Sequence, residues 1–316
     1  MRLATIATPD GLRLHMRGQS RDGQSGDGQS GDGRPRYIDV AAESGDERLS
    51  SLAGLLAGGP SALATVRRLT TAEGREYAET DLAPAVPEPN RILCLGLNYR
   101  DHALEGGREV PTWPETFVRG RGSVLAPYGE LVKPAFSEGF DYEGELGVVI
   151  GQGGRYLSRD RALAAVAGFT VLNDATAREW QRAGSQWTPG KNFDGSMPIG
   201  PEVVTTDEID VTDLAITTRL NGTVMQSART SQMIIDVPSA IEFFSSFTTL
   251  MPGDVIATGT PGGVGFARTP PVWLTPGDVI EVSIEGIGAI RNTVVAERGA
   301  PEGWRWSPMS ATTGAL

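Results

Sequence analysis

Two carboxylates stand two residues apart in Phe140-Asp141-Tyr142-Glu143-Gly144-Glu145-Leu146-Gly147-Val148-Val149-Ile150. In an extended chain such residues point to the same face, so Glu143 and Glu145 project together. Parallel carboxylates repel unless something positive lies between them, and a hard, oxygen-seeking cation fits there. The plain alternative is a solvated polar strand face, but the apolar run that follows argues for a strand entering a core. A third carboxylate, Asp174, ends the apolar stretch Val171-Leu172-Asn173 where a helix would start, and reads either as a helix N-cap or as a third metal ligand. Histidine occurs only at 15 and 102 and cysteine only at 94, which excludes a thiolate- or histidine-rich zinc cage. Any metal must be held mainly by oxygen, which favours Mg²⁺, Mn²⁺ or Ca²⁺.

Three further segments carry candidate chemistry. In Asn98-Tyr99-Arg100-Asp101-His102-Ala103-Leu104-Glu105 a helical turn places His102 and Glu105 on one face. A carboxylate beside an imidazole fixes its tautomer and raises its basicity, as a general base for water requires; a surface histidine is the alternative. Lys191, in Pro189-Gly190-Lys191-Asn192, could supply a local cation or be an ordinary surface lysine. The run Gly259-Thr260-Pro261-Gly262-Gly263-Val264-Gly265 follows an apolar strand. Exposed backbone N–H groups of such a turn can hold a carboxylate or phosphate. It is not a Walker loop, since no Gly-Lys-Ser/Thr follows.

The bulk of the chain narrows the partners. A formal net charge of −11 with a pI near 4.8 repels phosphate backbones and anionic lipid, so neither nucleic acid nor membrane is expected. An acidic substrate would need a local cation. The lone Cys94, in Ile92-Leu93-Cys94-Leu95, reads as a small buried hydrophobe. No apolar run reaches the roughly 20 residues of a spanning helix, and no signal-peptide pattern opens the chain. The cytoplasm is the expected location.

These residues need a scaffold, and the pattern is mostly β. Residues 1–86 read as a small α+β N-terminal domain: strands in 1–17 about a Pro-Asp-Gly turn, a strand near Tyr37–Val40, a helix near Arg48–Ala57 and a strand near Ala64–Leu69. Within it, 18–35 repeat Asp-Gly-Gln-Ser-Gly and read as a flexible insertion. A proline-punctuated linker over 82–90 leads to the main domain, 91–297. Its strands are expected at Ile92–Leu95, Glu143–Ile150, Phe169–Asn173, Leu214–Leu220, Asp254–Thr258, Val279–Ile284 and Gly288–Val295. Helices are expected at Arg159–Ala167, Ala175–Trp180 and Pro238–Ser246, packed outside. Residues 298–316 read as a flexible tail.

Taken in order, Gly-Leu-Asn-Tyr-x-x-His-x-x-Glu, Asp-Tyr-Glu-x-Glu-Leu, Asn-Asp, Gly-Lys-x-Phe-Asp, Pro-Ile-Gly-Pro and Thr-Gly-Thr-Pro-x-Gly-Val-Gly resemble the fumarylacetoacetate hydrolase superfamily over roughly 91–297. The resemblance implies a mixed β-roll or β-sandwich core, predominantly β with peripheral helices, usually as a homodimer. It implies Mg²⁺ or Mn²⁺ on Glu143, Glu145 and Asp174, with Ca²⁺ able to take their place in crystals. It implies a His102–Glu105 dyad on a short lid helix, Lys191 stabilising an enolate oxygen, and substrate contacts from Tyr99, Arg119, Gln181 and Thr260. Leu97 stands where many pyruvate-handling relatives carry arginine, Arg119 where lysine is frequent, and Ala175-Thr176-Ala177-Arg178-Glu179 varies the usual Val-Ser-Ala-Arg-Asp.

The leading expectation is therefore a hydrolase that cleaves a C–C bond of a small acylpyruvate or β-diketo acid through a metal-held enolate. An isomerase or decarboxylase of a hydroxymuconate- or oxaloacetate-type diacid is the alternative within the family. A catalytically idle binding scaffold is the alternative outside it.

Overall fold

The computed structural model describes residues 1–18 and 35–301. Nearly all of the expected insertion at 18–35, and the tail from 302 on, lie outside the described residues. Eleven strands form one large mixed sheet. Its main path runs Arg75–Glu76, Arg36–Asp39, Gly11–Arg17, Arg2–Thr8, Met197–Thr205, Val166–Asn173, Gly144–Ile150, Val255–Ala257, Ile92–Gly96, Glu115–Arg119. Val124–Leu125 pairs in parallel with Met197–Thr205 off that path. A second sheet has five strands, in the order Thr223–Arg229, Ala215–Leu220, Val279–Ile284, Gly288–Ala296, Leu131–Lys133.

The strand Gly144–Ile150 is buried on both faces, and its alternation sorts the molecule into layers. Leu146, Val148 and Ile150 pack with Ile216, Val282 and Ile290 of the smaller sheet and with Ile241 and Phe244 of the helix Val237–Phe247. Asp236 caps that helix by accepting from the Ser239 N–H, and Pro238 sits in its first turn. Val149 faces the other way, into a core shared with Cys94, Leu172 and the N-terminal Leu52, Leu55 and Val66. Glu145 has the parity of Val149, so the acidic positions open on that second face. Cys94 is fully buried, and burial pushes its thiol pKa well up.

The N-terminal residues extend the large sheet. Arg2–Thr8 pairs antiparallel with Met197–Thr205, and the segment expected as a linker is tied between them, Ala83 N–H to Thr5 O (2.9 Å) and Ala85 N–H to Ile199 O (3.0 Å). The strand expected at Ala64–Leu69 is instead part of the helix Gly59–Arg67, whose buried Ala62 and Val66 are spaced at the helical period. The helix expected at Arg159–Ala167 is a 3₁₀ turn, Arg159–Ala165, leading straight into the strand Val166–Asn173. The helix expected from Ala175 begins only at Arg178, because Thr176–Ala177 pairs with Phe140–Asp141. Met197–Thr205 was unforeseen: Pro198, Gly200 and Pro201 read as punctuation, yet all of its residues are buried. No helix among the described residues is long and apolar enough to cross a membrane.

Since N-terminal and central residues share one core, Leu55→Ala is expected to cost about 2–5 kcal/mol and to move a single calorimetric unfolding transition downward. A separate early transition, with the main one unmoved, would show that 1–86 unfolds on its own.

Candidate metal and catalytic site

Glu143, Glu145 and Asp174 are buried and each places a carboxylate oxygen within 4.8 Å of the others. Sheet register does this. Gly144 pairs with Asn173, and the Asp174 N–H donates to the Glu143 carbonyl at 2.8 Å, so the acids at the ends of two adjacent strands meet. The N-cap reading of Asp174 falls away, since a strand pairing follows it rather than a helix.

The cations around this trio are unevenly shared. Lys191 Nζ lies 2.6 Å from Glu143 Oε2 and 2.6 Å from Asp174 Oδ2. Arg178 donates from Nε to Asp141 Oδ2 (2.8 Å) and pairs through Nη1 with Glu143 Oε1 (2.7 Å). Arg119 donates to Asp174, Ser196 and the Ala175 carbonyl. Among the described residues Glu145 has no ion-pair partner; its Oε2 accepts from the Gly259 N–H at 2.8 Å. Burial would push the Glu143 carboxyl up, but the charges of Lys191 and Arg178 outweigh it and hold the pKa at about 2. Burial and the charges of Asp174 and Glu143 instead push Glu145 well above the usual carboxylate range. Desolvation opposes the Lys191 charge, yet Asp174 and Glu143 win and raise its pKa.

With Glu145 ionised, four buried carboxylates (Asp141, Glu143, Glu145, Asp174) face three buried cations (Arg119, Arg178, Lys191), one negative charge in excess. A divalent cation reverses the sign of that excess and suits an anionic ligand. Three converging buried oxygens, one without a counter-charge, fit Mg²⁺ or Mn²⁺.

His102 Nδ1 lies 2.9 Å from Glu105 Oε1 on the helix Arg100–Glu105. Glu105 Oε2 accepts from the Gly263 N–H at 2.7 Å. The glycine-rich turn therefore holds the protein's own carboxylates: Gly259 holds Glu145, Gly263 holds Glu105, and the N–H groups of Gly265 and Phe266 hold Asp141 at 2.8 and 3.0 Å. Gly263 has φ +104°, and a Cβ there would meet the Met225 carbonyl at 2.1 Å, so only glycine fits.

A cleft of about 360 Å³ opens onto this cluster, and His102, Glu143, Glu145, Gln181, Lys191 and Thr260 line it together. The Gln181 side-chain oxygen accepts from Arg178 Nη1 at 3.0 Å. The Thr260 hydroxyl donates to the Gly144 carbonyl (3.0 Å) and accepts from Gln226 Nε2 (2.7 Å). Two expected substrate contacts are corrected. Arg119 lies behind Asp174 rather than in the cleft, because Asp174, Ser196 and Ala175 consume its guanidinium and leave it 1% exposed. Tyr99 is buried on a neighbouring groove with Asp101 and Glu105, and its hydroxyl has no hydrogen-bond partner among the described residues. Burial and the Glu145 charge push the Tyr99 pKa up.

The sequence reading passed over Arg178, buried in the cleft wall with Nη2 unpartnered among the described residues. It also passed over Asp141, which anchors Arg178, and Asn98, whose Nδ2 donates to the Thr258 (2.7 Å) and Ile235 (2.9 Å) carbonyls. All three stand inside motifs already singled out. An aspartate and an arginine flanking the acidic trio were the available signal.

Residues 91–295 match the sequence pattern of the fumarylacetoacetate (FAA) hydrolase C-terminal family. The chain is 46% identical over 219 residues, 68% of this chain and 69% of the relative, to the mitochondrial oxaloacetate tautomerase FAHD2A of Bos taurus. A fumarylacetoacetate hydrolase from Exiguobacterium antarcticum has a similar structure, with TM-score 0.75 and 32% identity over 94% of this chain and 100% of that one. So does a 2-hydroxyhepta-2,4-diene-1,7-dioate isomerase from Mycobacterium marinum, with TM-score 0.70 and 31% identity over 95% of this chain and 100% of that one.

The raised pKa of Glu145 sets a pH dependence. Folded, metal-free protein binds that proton more tightly than the unfolded chain, so its stability falls as pH rises from the ordinary carboxylate range through the raised value. A cation that displaces the proton removes this loss. Mg²⁺ should therefore raise Tm most at the alkaline end and little in acid, and Glu145→Gln should flatten the metal-free profile. Thermal melts across pH, with and without Mg²⁺, check this; an Mg²⁺ shift independent of pH would contradict it.

Proposed function

The chain belongs to the fumarylacetoacetate hydrolase family, and from that premise we propose that it is a metal-dependent keto–enol tautomerase of a small 2-oxo diacid of the oxaloacetate type. The observation that carries this reading is the opening of one cleft onto Glu143 and Glu145 of the carboxylate trio, an oriented imidazole and a buried lysine. The activities named for the bovine tautomerase and the mycobacterial isomerase support it.

A divalent cation on Glu143, Glu145 and Asp174 would supply Lewis-acid polarisation of the 2-oxo group. The chain supplies the proton movement. Glu105 accepts from His102 Nδ1–H, which leaves Nε2 as the basic nitrogen. That nitrogen takes the proton from the carbon beside the oxo group and returns one in the reverse direction. The Lys191 ammonium is the hydrogen-bond donor for the oxygen on which charge develops. The unpartnered Arg178 Nη2 is a donor for the carboxylate next to the oxo group. The imidazolium so formed then gives the proton to the oxygen, so His102 ends neutral and the substrate changes neither charge nor composition.

C–C hydrolysis of an acylpyruvate is the second reading, favoured by the same dyad, which could equally draw a proton from water. Products separate the two. With Mg²⁺, the protein should speed the loss of enol-oxaloacetate absorbance while releasing no acetate or pyruvate from acetylpyruvate. Cleavage of acetylpyruvate, with enol decay at the uncatalysed rate, would replace tautomerisation by hydrolysis. His102→Ala should lower turnover by about 10²–10⁴-fold and leave Mg²⁺ affinity intact; undiminished turnover would remove the dyad from the mechanism.

A further inference from the structure

We propose that Arg108 and Arg182 form the binding site for the substrate's second carboxylate, the one remote from the oxo group, and so make the protein selective for 2-oxo diacids over 2-oxo monoacids. This rests on the reading of the cleft as a 2-oxo acid site.

Four cationic side chains line the cleft: Arg108, Arg178, Arg182 and Lys191. Lys191 is held by Glu143 and Asp174, and Arg178 by Asp141 and Glu143. Arg108 and Arg182 form no ion pair or side-chain hydrogen bond among the described residues. In a chain of net charge −11, two unpaired guanidinium groups at the mouth of one cleft call for an anion.

Both arginines follow short helices at the cleft. Arg108 closes the helix that carries His102. Its N–H donates to the Ala103 carbonyl (2.9 Å) and the Gly107 N–H to Leu104 (3.0 Å), with Gly107 at φ +69°, the Schellman pattern. Arg182 ends the helix Arg178–Gln181, its N–H donating to the Arg178 carbonyl at 3.0 Å. Its guanidinium carbon lies 4.3 Å from the Phe266 ring centroid, and that of Arg178 4.5 Å. The Phe266 ring also meets His102 edge-on, with centroids 6.4 Å apart. A carboxylate between the two side chains would accept from both guanidinium groups and relieve their mutual repulsion. A cation on the acidic trio would hold the oxo-acid end of the ligand, so the second carboxylate is the group left to reach them. Leu97, also in the wall, offers no charge, which leaves this role to positions 108 and 182.

The test is binding of difluoro-oxaloacetate, which cannot enolise, and of its methyl ester at the remote carboxylate, to the Mg²⁺-loaded protein by calorimetry. Wild type should bind the diacid at least about tenfold more tightly than the ester, as a charge-assisted bidentate contact implies. Arg182→Ala and Arg108→Ala should each remove most of that preference while leaving ester affinity unchanged, and Arg182→Lys should restore part of it. Both side chains are exposed, so folding is spared. Equal affinity for diacid and ester in wild type, or an undiminished preference in both alanine variants, would overturn the proposal. Because binding of a non-reacting ligand is read, failure of the tautomerase reading would show separately, as an enol decay the protein does not accelerate.

Discussion

Negative charge held out of water is the constraint around which this molecule is built. Four carboxylates lie buried, where charge is costly unless it is compensated. Each is kept in place by a specific donor: Lys191 and Arg178 for Glu143, Arg119 and Lys191 for Asp174, Arg178 and the Gly265–Phe266 backbone for Asp141. Among the described residues Glu145 has one backbone N–H and no counter-charge, and that deficit supports reading the cluster as a proposed cation site. The same glycine-rich turn that holds Glu145 also holds Glu105. The proposed metal ligand Glu145 and the Glu105 carboxylate that meets His102 are therefore held by one turn.

The sheet order explains why such a cluster can be stable. Gly144–Ile150 and Val166–Asn173 are neighbours inside the large sheet, buried on both faces, and their ends deliver Glu143, Glu145 and Asp174 to one point. A central strand cannot slip register without turning its apolar residues out of two cores at once. That places the rigidity where catalysis needs it and leaves the His102 helix, short and closed by two glycines, as the element best able to adjust around a ligand.

Much of the site was legible because its chemistry is local in sequence. Glu143 with Glu145 and His102 with Glu105 are short-range pairs whose geometry follows from strand and helix periods. The long-range partners were not legible. That Arg119 lies behind Asp174 depends on two strands far apart in sequence, and nothing at Phe117-Val118-Arg119 distinguishes a ligand contact from a buried counter-ion. The strand Met197–Thr205 hid behind its prolines, and the strand expected at 64–69 proved a helix because tertiary burial of Ala62 and Val66 outweighed β-branched composition. The sequence alone leaned toward C–C hydrolysis. The similarity to an oxaloacetate tautomerase and a dioate isomerase shifts the weight to proton transfer, which asks the same residues to move a proton without admitting water as nucleophile.

Glu145 is proposed to complete a site for one hard divalent cation. Calorimetric titration of the purified protein with Mn²⁺ should then show one saturable site per chain, abolished by Glu145→Gln in a protein that melts as a folded domain. No saturable binding to the wild type, or the same binding in the Glu145→Gln variant, would contradict it.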